Sequence, residues 1–164
     1  MKYEIVKLDS CSGYGASIYS VILYGEDKTL LEKFIEENIS EFKGETEDIL
    51  KRLSLIGKLG ARSGWFKENE GSPGDLVCAL FDEPERHLRV YCIKYGMDLI
   101  VVGGGGPKPE GMRSLQESEK LTSENKIMKE VSGDIHRLMR EGELRFSDDY
   151  KDLIGHLKVN YEDE

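Results

Sequence analysis

A chain of 164 residues with 38 % hydrophobic and 34 % charged residues can bury one sizeable core, and its 9 % aromatics exclude a disordered chain. It contains no run of about 18 apolar residues, so no membrane-spanning helix is expected. The formal charge of −9, from 23 basic and 32 acidic residues, disfavours a broad nucleic-acid-coating surface but leaves room for a small basic pocket. The start, MKYEIVKLDSCSG, has no apolar signal core, and three cysteines are a sparse, odd set. Both point to reduced thiols and a cytoplasmic location.

In chain order, residues 2–8 alternate as a strand. The loop DSCSGYG and the β-branched run ASIYSVILY complete an N-terminal hairpin. Asp27 can cap a helix whose stripe is Leu30, Leu31, Phe34, Ile35 and Ile39. Thr46 can cap a second helix with the stripe Ile49, Leu50, Leu53 and Ile56, ended by Gly57 and Gly60. The pair is expected as an antiparallel αα-hairpin. Trp65-Phe66 begins an extended piece, and Lys67–Asp75 is a polar loop. Leu76–Asp82, Leu88–Tyr95 and Asp98–Gly103 read as three antiparallel strands, with Pro84 in the first turn and Gly96-Met97 as a two-residue second turn. GGGGPKP then leaves the sheet as a loop. Residues 123–141 form a third helix on Ile127, Val131, Ile135 and Leu138, and a short strand is expected near Leu157–Val159. The division is a domain over 1–120, including the hairpin, with a helix and tail over 121–164 packed on it.

Charge is segregated along this chain. Residues 26–48 carry nine acids and three bases, and residues 141–164 carry eight acids and three bases. Residues 86–113 reverse the sign, with Arg86, Arg89, Lys94, Lys108 and Arg113 against Asp98 and Glu110. The turns predict Cys78 opposite Cys92, Leu80 opposite Val90, Asp82 opposite Leu88, Tyr91 opposite Val102 and Arg89 opposite Gly104. One face then carries Leu80, Val90, Cys92, Leu99 and Val101, for the helix pair. The other carries Phe81, Arg89, Tyr91, Ile93, Tyr95, Ile100 and Val102. Arg89, Tyr91 and Lys108 converge at the end of the sheet in this register, as groups able to handle phosphate.

The other motifs point to no established chemistry. GGGGPKP lacks P-loop spacing, although consecutive glycines can present N–H groups to an anion; a plain turn is the commoner use. SGYGAS lacks the third glycine and the βαβ setting of a dinucleotide site. The cysteines lack CxxC spacing, and His87, His136 and His156 are isolated, so neither a zinc site nor a cofactor is expected. Cys78 and Cys92 read as small core residues. His87, in a turn beside Arg89, can serve as an acid or base, or simply be an exposed turn residue.

The run LVCALFDEPERHLRVYCIKYGMDLIVVGGGGPKP resembles the RelE/ParE superfamily of bacterial toxins, nearest its phage-derived and HigB-like branch. Leu88-Arg89 matches the arginine opening a strand, Asp98–Val102 the hydrophobic last strand, and Gly106-Pro107-Lys108 the basic loop. The resemblance covers about a third of the chain closely, and residues 26–120 by element order. It implies an α+β fold, an antiparallel sheet covered by an αα-hairpin, here with an extra N-terminal hairpin and a C-terminal helical extension. It also implies a metal-independent, cofactor-free endoribonuclease, an mRNA interferase acting on ribosome-bound mRNA and held by a helix-turn-helix antitoxin. In that chemistry a 2′-OH attacks the scissile phosphate while cations stabilise the pentavalent charge. Arg89 and Lys108 match the family's catalytic positions; Tyr91 and His87 are proton-transfer candidates by proximity. Cys78-Ala79-Leu80 replaces the family's glutamate–leucine–arginine, and the loop has one lysine instead of two. Those departures, with the acidic charge, support the alternative of a non-catalytic RelE-fold protein that binds an antitoxin or another protein.

Overall fold

The computed structural model describes residues 1–67, 76–83, 85–109 and 118–161. Pro84, most of the polar loop before Leu76, and Glu110 and Arg113 lie outside the described residues. The N-terminal alternation forms β1 (Tyr3–Lys7) and β2 (Ser17–Leu23), an antiparallel hairpin as expected. Helix α1 (Leu30–Asn38) starts two residues later than Asp27 would place it. Thr29 is the N-cap, and its side chain accepts from Glu32 N–H while Glu32 returns a bond to Thr29 N–H. Helix α2 (Lys43–Leu59) starts before Thr46, at Phe42, with no side-chain cap; Thr46 instead bonds back to the Phe42 carbonyl.

A short 3₁₀ turn (Ser63–Trp65) leads into β3 (Phe66–Lys67), and β4 (Val77–Leu80), β5 (Leu88–Tyr95) and β6 (Leu99–Pro107) follow. Helix α3 (Glu119–Arg140) is capped by Ser118, and β7 (Leu144–Phe146), β8 (Leu153–Gly155) and β9 (Lys158–Val159) end the described chain. The main sheet runs β3-β4-β5-β6-β2-β1-β9, and β7-β8 form a small separate ladder. Among the described residues, every strand pairing is antiparallel except that of β2 with β6. The fold is thus α+β with a mostly antiparallel sheet, as the sequence predicts. The hairpin, however, is built into the sheet beside β6 and is not an appendage.

Both faces are covered. Helices α1 and α2 place Leu31, Phe34, Ile49, Leu53 and Ile56 on Cys78, Leu80, Leu88, Val90, Cys92, Ile100 and Val102. Helix α3 places Leu121, Met128, Val131, Ile135 and Leu138 on Tyr3, Tyr19, Tyr91, Ile93, Leu99 and Val101. The face opposite the helix pair, which the sequence marks as mixed, is therefore the floor of a second core. The first predicted register holds over residues 77–79, where Cys78 pairs with Cys92. The second does not. Tyr95 pairs with Leu99 across three residues, Gly96 to Asp98, and a bulge follows between Val90 and Cys92. Cys92 then faces Val102 and Arg89 faces Gly106, instead of Tyr91 facing Val102 and Arg89 facing Gly104. That slip sends Leu99 and Val101 to the α3 side and Ile100 and Val102 to the helix pair.

The glycine run is a further correction. It is neither a turn nor an anion nest but the second half of β6, paired with β5. A Cβ at Gly103 would meet Met128 Sδ at 2.4 Å, and one at Gly104 would meet the Glu124 carboxylate at 2.6 Å. The missing side chains let α3 lie directly on strand backbone.

The Cys78 and Cys92 thiols are buried and free of a disulfide, hydrogen-bonded to each other at 3.6 Å, while Cys11 is half-buried in a loop. The contact with Cys78 and burial hold the Cys92 thiol well above its usual pKa. A thiol reagent at neutral pH should label Cys11 in the native protein and reach the other two only on unfolding. Equal labelling of all three in the native state would contradict this core. Among the described residues, no helix is long and apolar enough to cross a membrane.

Candidate functional site

The end of the sheet where β4 leaves and β5 enters gathers the charged groups. Cys78, Leu80 and Asp82 share one strand phase, so Asp82 is carried to an inward position just past the last residue of β4 and is 4 % exposed. A carboxylate there needs partners. Lys108, just past β6, reaches Oδ2 at 2.5 Å, and Arg89, near the start of β5, approaches the same oxygen at 3.4 Å. Lys67, the last residue of β3, faces Oδ1 at 3.7 Å. Burial pushes the Asp82 carboxyl up; the Lys108 hydrogen bond and the charges of Arg89, Lys108 and Lys67 outweigh it and hold the group below its usual value. Lys108 also donates to the Glu83 carbonyl at 3.1 Å, tying it to the β4–β5 connection.

Arg89 and Lys108 therefore do converge, although through a register other than the expected one. The bulge in β5 and the extension of β6 to Pro107 compensate for the slip. Among the described residues, three cations gather on one carboxylate in a chain of net −9.

Tyr91 does not join them. It is fully buried among residues beneath α3, so its hydroxyl is closed to any ligand approaching this end. His87 lies beside the cluster on the side of α2. Its carbonyl accepts from Lys108 N–H at 2.6 Å, and its ring lies 2.6 Å from Glu45 Oε2 through Nδ1. Glu45 Oε1 also accepts from the N–H groups of His87 at 2.8 Å and Leu88 at 3.2 Å. Burial raises the Glu45 carboxyl, but these bonds more than offset it, so it sits below its usual value. An ionised Glu45 accepts, so His87 Nδ1 carries a proton and donates to it. The His87 ring stacks on Phe42 with centroids 5.1 Å apart.

Residues of α2 hold the whole turn. Glu45 grips residues 87 and 88, Asp48 pairs with Arg86 at 3.9 Å, and Arg52 donates to the Phe81 carbonyl at 2.5 Å. Sequence reasoning gave no role to Asp82, Lys67 or Glu45. Asp82 carried a readable signal, an acid in phase with Cys78 and Leu80. Glu45 did not, because it resembles its neighbours on an acidic helix. Among the described residues, no three His, Cys, Asp or Glu side chains group to hold a metal ion. Comparison with protein-family models, curated proteins and solved structures finds no match, so the site must be interpreted from its own chemistry.

Proposed function

We propose that this chain is the toxin-like member of a toxin–antitoxin pair, engaging single-stranded RNA phosphate at the Lys67–Arg89–Lys108 cluster without a metal. One observation supports the reading: three cations from separate elements, Lys67, Arg89 and Lys108, converge on a single buried carboxylate in an acidic protein. Asp82 preorganises the cations, and they suit a phosphodiester. In the cleavage step the 2′-oxygen forms a bond to phosphorus and the bond to the 5′-oxygen breaks. A base removes the 2′ proton, and the leaving oxygen takes one up. Arg89 and Lys108 stabilise the charge on the non-bridging oxygens. With Tyr91 sealed, His87 is the proton-transfer candidate that stays exposed near the cluster.

The pairing of Arg89 and Lys108 with Asp82 favours a second reading. In it the cluster only braces the sheet, and the protein acts by binding a helix-turn-helix antitoxin or another protein. Induced expression without a partner gene distinguishes the two. Under the first, growth slows and translated mRNA is depleted, Arg89→Ala abolishes both effects, Lys108→Ala weakens them, and Lys58→Ala on α2 changes nothing. Loss of one oxyanion-stabilising donor is worth about 3–4 kcal/mol, or roughly a hundredfold or more in rate. Unimpaired growth at confirmed soluble expression, or toxicity indifferent to Arg89 and Lys108, would end the ribonuclease reading.

A further inference from the structure

A cleft of about 840 Å³ opens beside the cation cluster, between the start of α2 and the Arg86-His87 end of the β4–β5 connection. We infer that this cleft is a base-stacking subsite for single-stranded RNA, with His87 as its platform. The inference rests on the RNA reading above and assigns a place to the base, where the cluster takes the phosphate.

Three observations carry it. The first is the platform. Phe42 covers one face of the His87 ring, with the planes inclined by 27°. The side chain nevertheless remains 63 % exposed and lines the cleft. Glu45 fixes the ring through Nδ1 and fixes the backbone through two N–H groups, so little rotamer freedom is lost when a base settles on it. An aromatic pair held rigidly and partly exposed is what a base needs, since every base has a π-face.

The second is charge. The cleft is lined by Lys43, Lys51 and Arg86 against Glu41, Glu45, Glu47 and Asp48, one more acid than base with His87 neutral. A phosphate gains little there, whereas an uncharged base is not repelled. The adjoining cluster gathers Lys67, Arg89 and Lys108 around Asp82. The two neighbouring sites thus divide a nucleotide into its neutral and anionic parts.

The third is continuity. The Lys108 N–H bonded to the His87 carbonyl at 2.6 Å makes the platform and the phosphate-handling lysine adjacent positions on paired strands. The signal was present in the sequence only as a histidine two residues before Arg89; the partner Phe42 comes from another element.

The test uses a single-stranded hexaribonucleotide carrying one 2-aminopurine, whose fluorescence falls when the base stacks. With the wild-type chain, binding should quench the probe. His87→Ala should remove the quench and weaken binding about ten-fold. His87→Phe, which can stack but cannot bond to Glu45, should restore both. Arg89→Ala should weaken binding equally for an oligonucleotide with an abasic nucleotide at the probe position. If His87→Ala binds and quenches like wild type while Arg89→Ala weakens binding, the stacking subsite is overturned and the RNA reading stands. If the wild-type chain binds no oligonucleotide, the RNA reading falls and the subsite falls with it.

Discussion

Replacing Asp82 by alanine should cost about 3–5 kcal/mol of folding stability, measured by urea unfolding, because it leaves neighbouring cations at a largely dry position without their counter-ion. The Asp82 side chain is 3 % exposed, and Arg89 and Lys108 are 14 % and 19 % exposed, so water screens the group poorly. Lys67, at 42 %, can turn to solvent and matters less. Replacing Asp82, Arg89 and Lys108 together by apolar residues of similar volume should recover most of the loss, since a buried ionic group gains little over hydrophobic packing once all its charges go. The dependence on pH has a definite sign. The folded carboxyl lies below its usual value, so its stabilisation is complete above the unfolded carboxylate pKa and declines as pH falls through the lower folded one. Asp82→Asn should therefore flatten the acid limb of the stability profile and leave the alkaline limb unchanged. A loss below about 1 kcal/mol for Asp82→Ala would mean that the cluster is solvated and that Asp82 organises nothing.

Gly57→Ala should also destabilise strongly, against the direction that helix propensity predicts. Gly57 lies within α2, where alanine ordinarily gains up to about 1 kcal/mol. Here an added Cβ would sit 1.9 Å from the Cys11 carbonyl oxygen and 3.0 Å from its carbon, both of them backbone. The Gly57 carbonyl accepts from Gly15 N–H at 2.8 Å and Ala16 N–H at 3.0 Å, so the loop before β2 is docked on the helix and cannot retreat without losing those bonds. The expected net loss is about 2–3 kcal/mol, or a melting temperature lower by roughly 5–10 °C. Gly133→Ala is the control: that glycine, in α3, has no atom within 4 Å of the added Cβ, so the variant should be slightly more stable. A stabilised Gly57→Ala protein would show that the loop is not seated as described.

The sequence made the local elements legible and hid the layering. The Leu30–Ile39 and Ile49–Ile56 stripes, the hairpin over residues 2–24 and the Cys78–Cys92 register are matters of period and turn length, which neighbouring residues decide. The parallel contact of β2 with β6 is not local, and nothing in ASIYSVILY distinguishes a hairpin edge from an interior strand. The second register failed because one extra turn residue, Asp98, and one bulge cannot be counted from composition. The glycine run was misplaced for a related reason: glycine reads as a turn unless the helix that lies on it is already known. At the site, Arg89 and Lys108 were legible as isolated charges at a strand end. Their counter-ion and the α2 residues that shape the turn required the third dimension.

The sheet order has a consequence for how the chain assembles. β1 and β2 are made well before their outer partners, which are residues 99–101 beside β2 and, later still, 158–159 beside β1. Until they arrive, the hairpin emerging from the ribosome carries two open edges, one of them the β-branched run that becomes the interior of the sheet. Closure must wait for contacts distant in sequence, whose loop entropy slows the search. This hairpin is thus the segment most in need of protection from foreign strands during synthesis, although it ends paired on both sides within the native sheet.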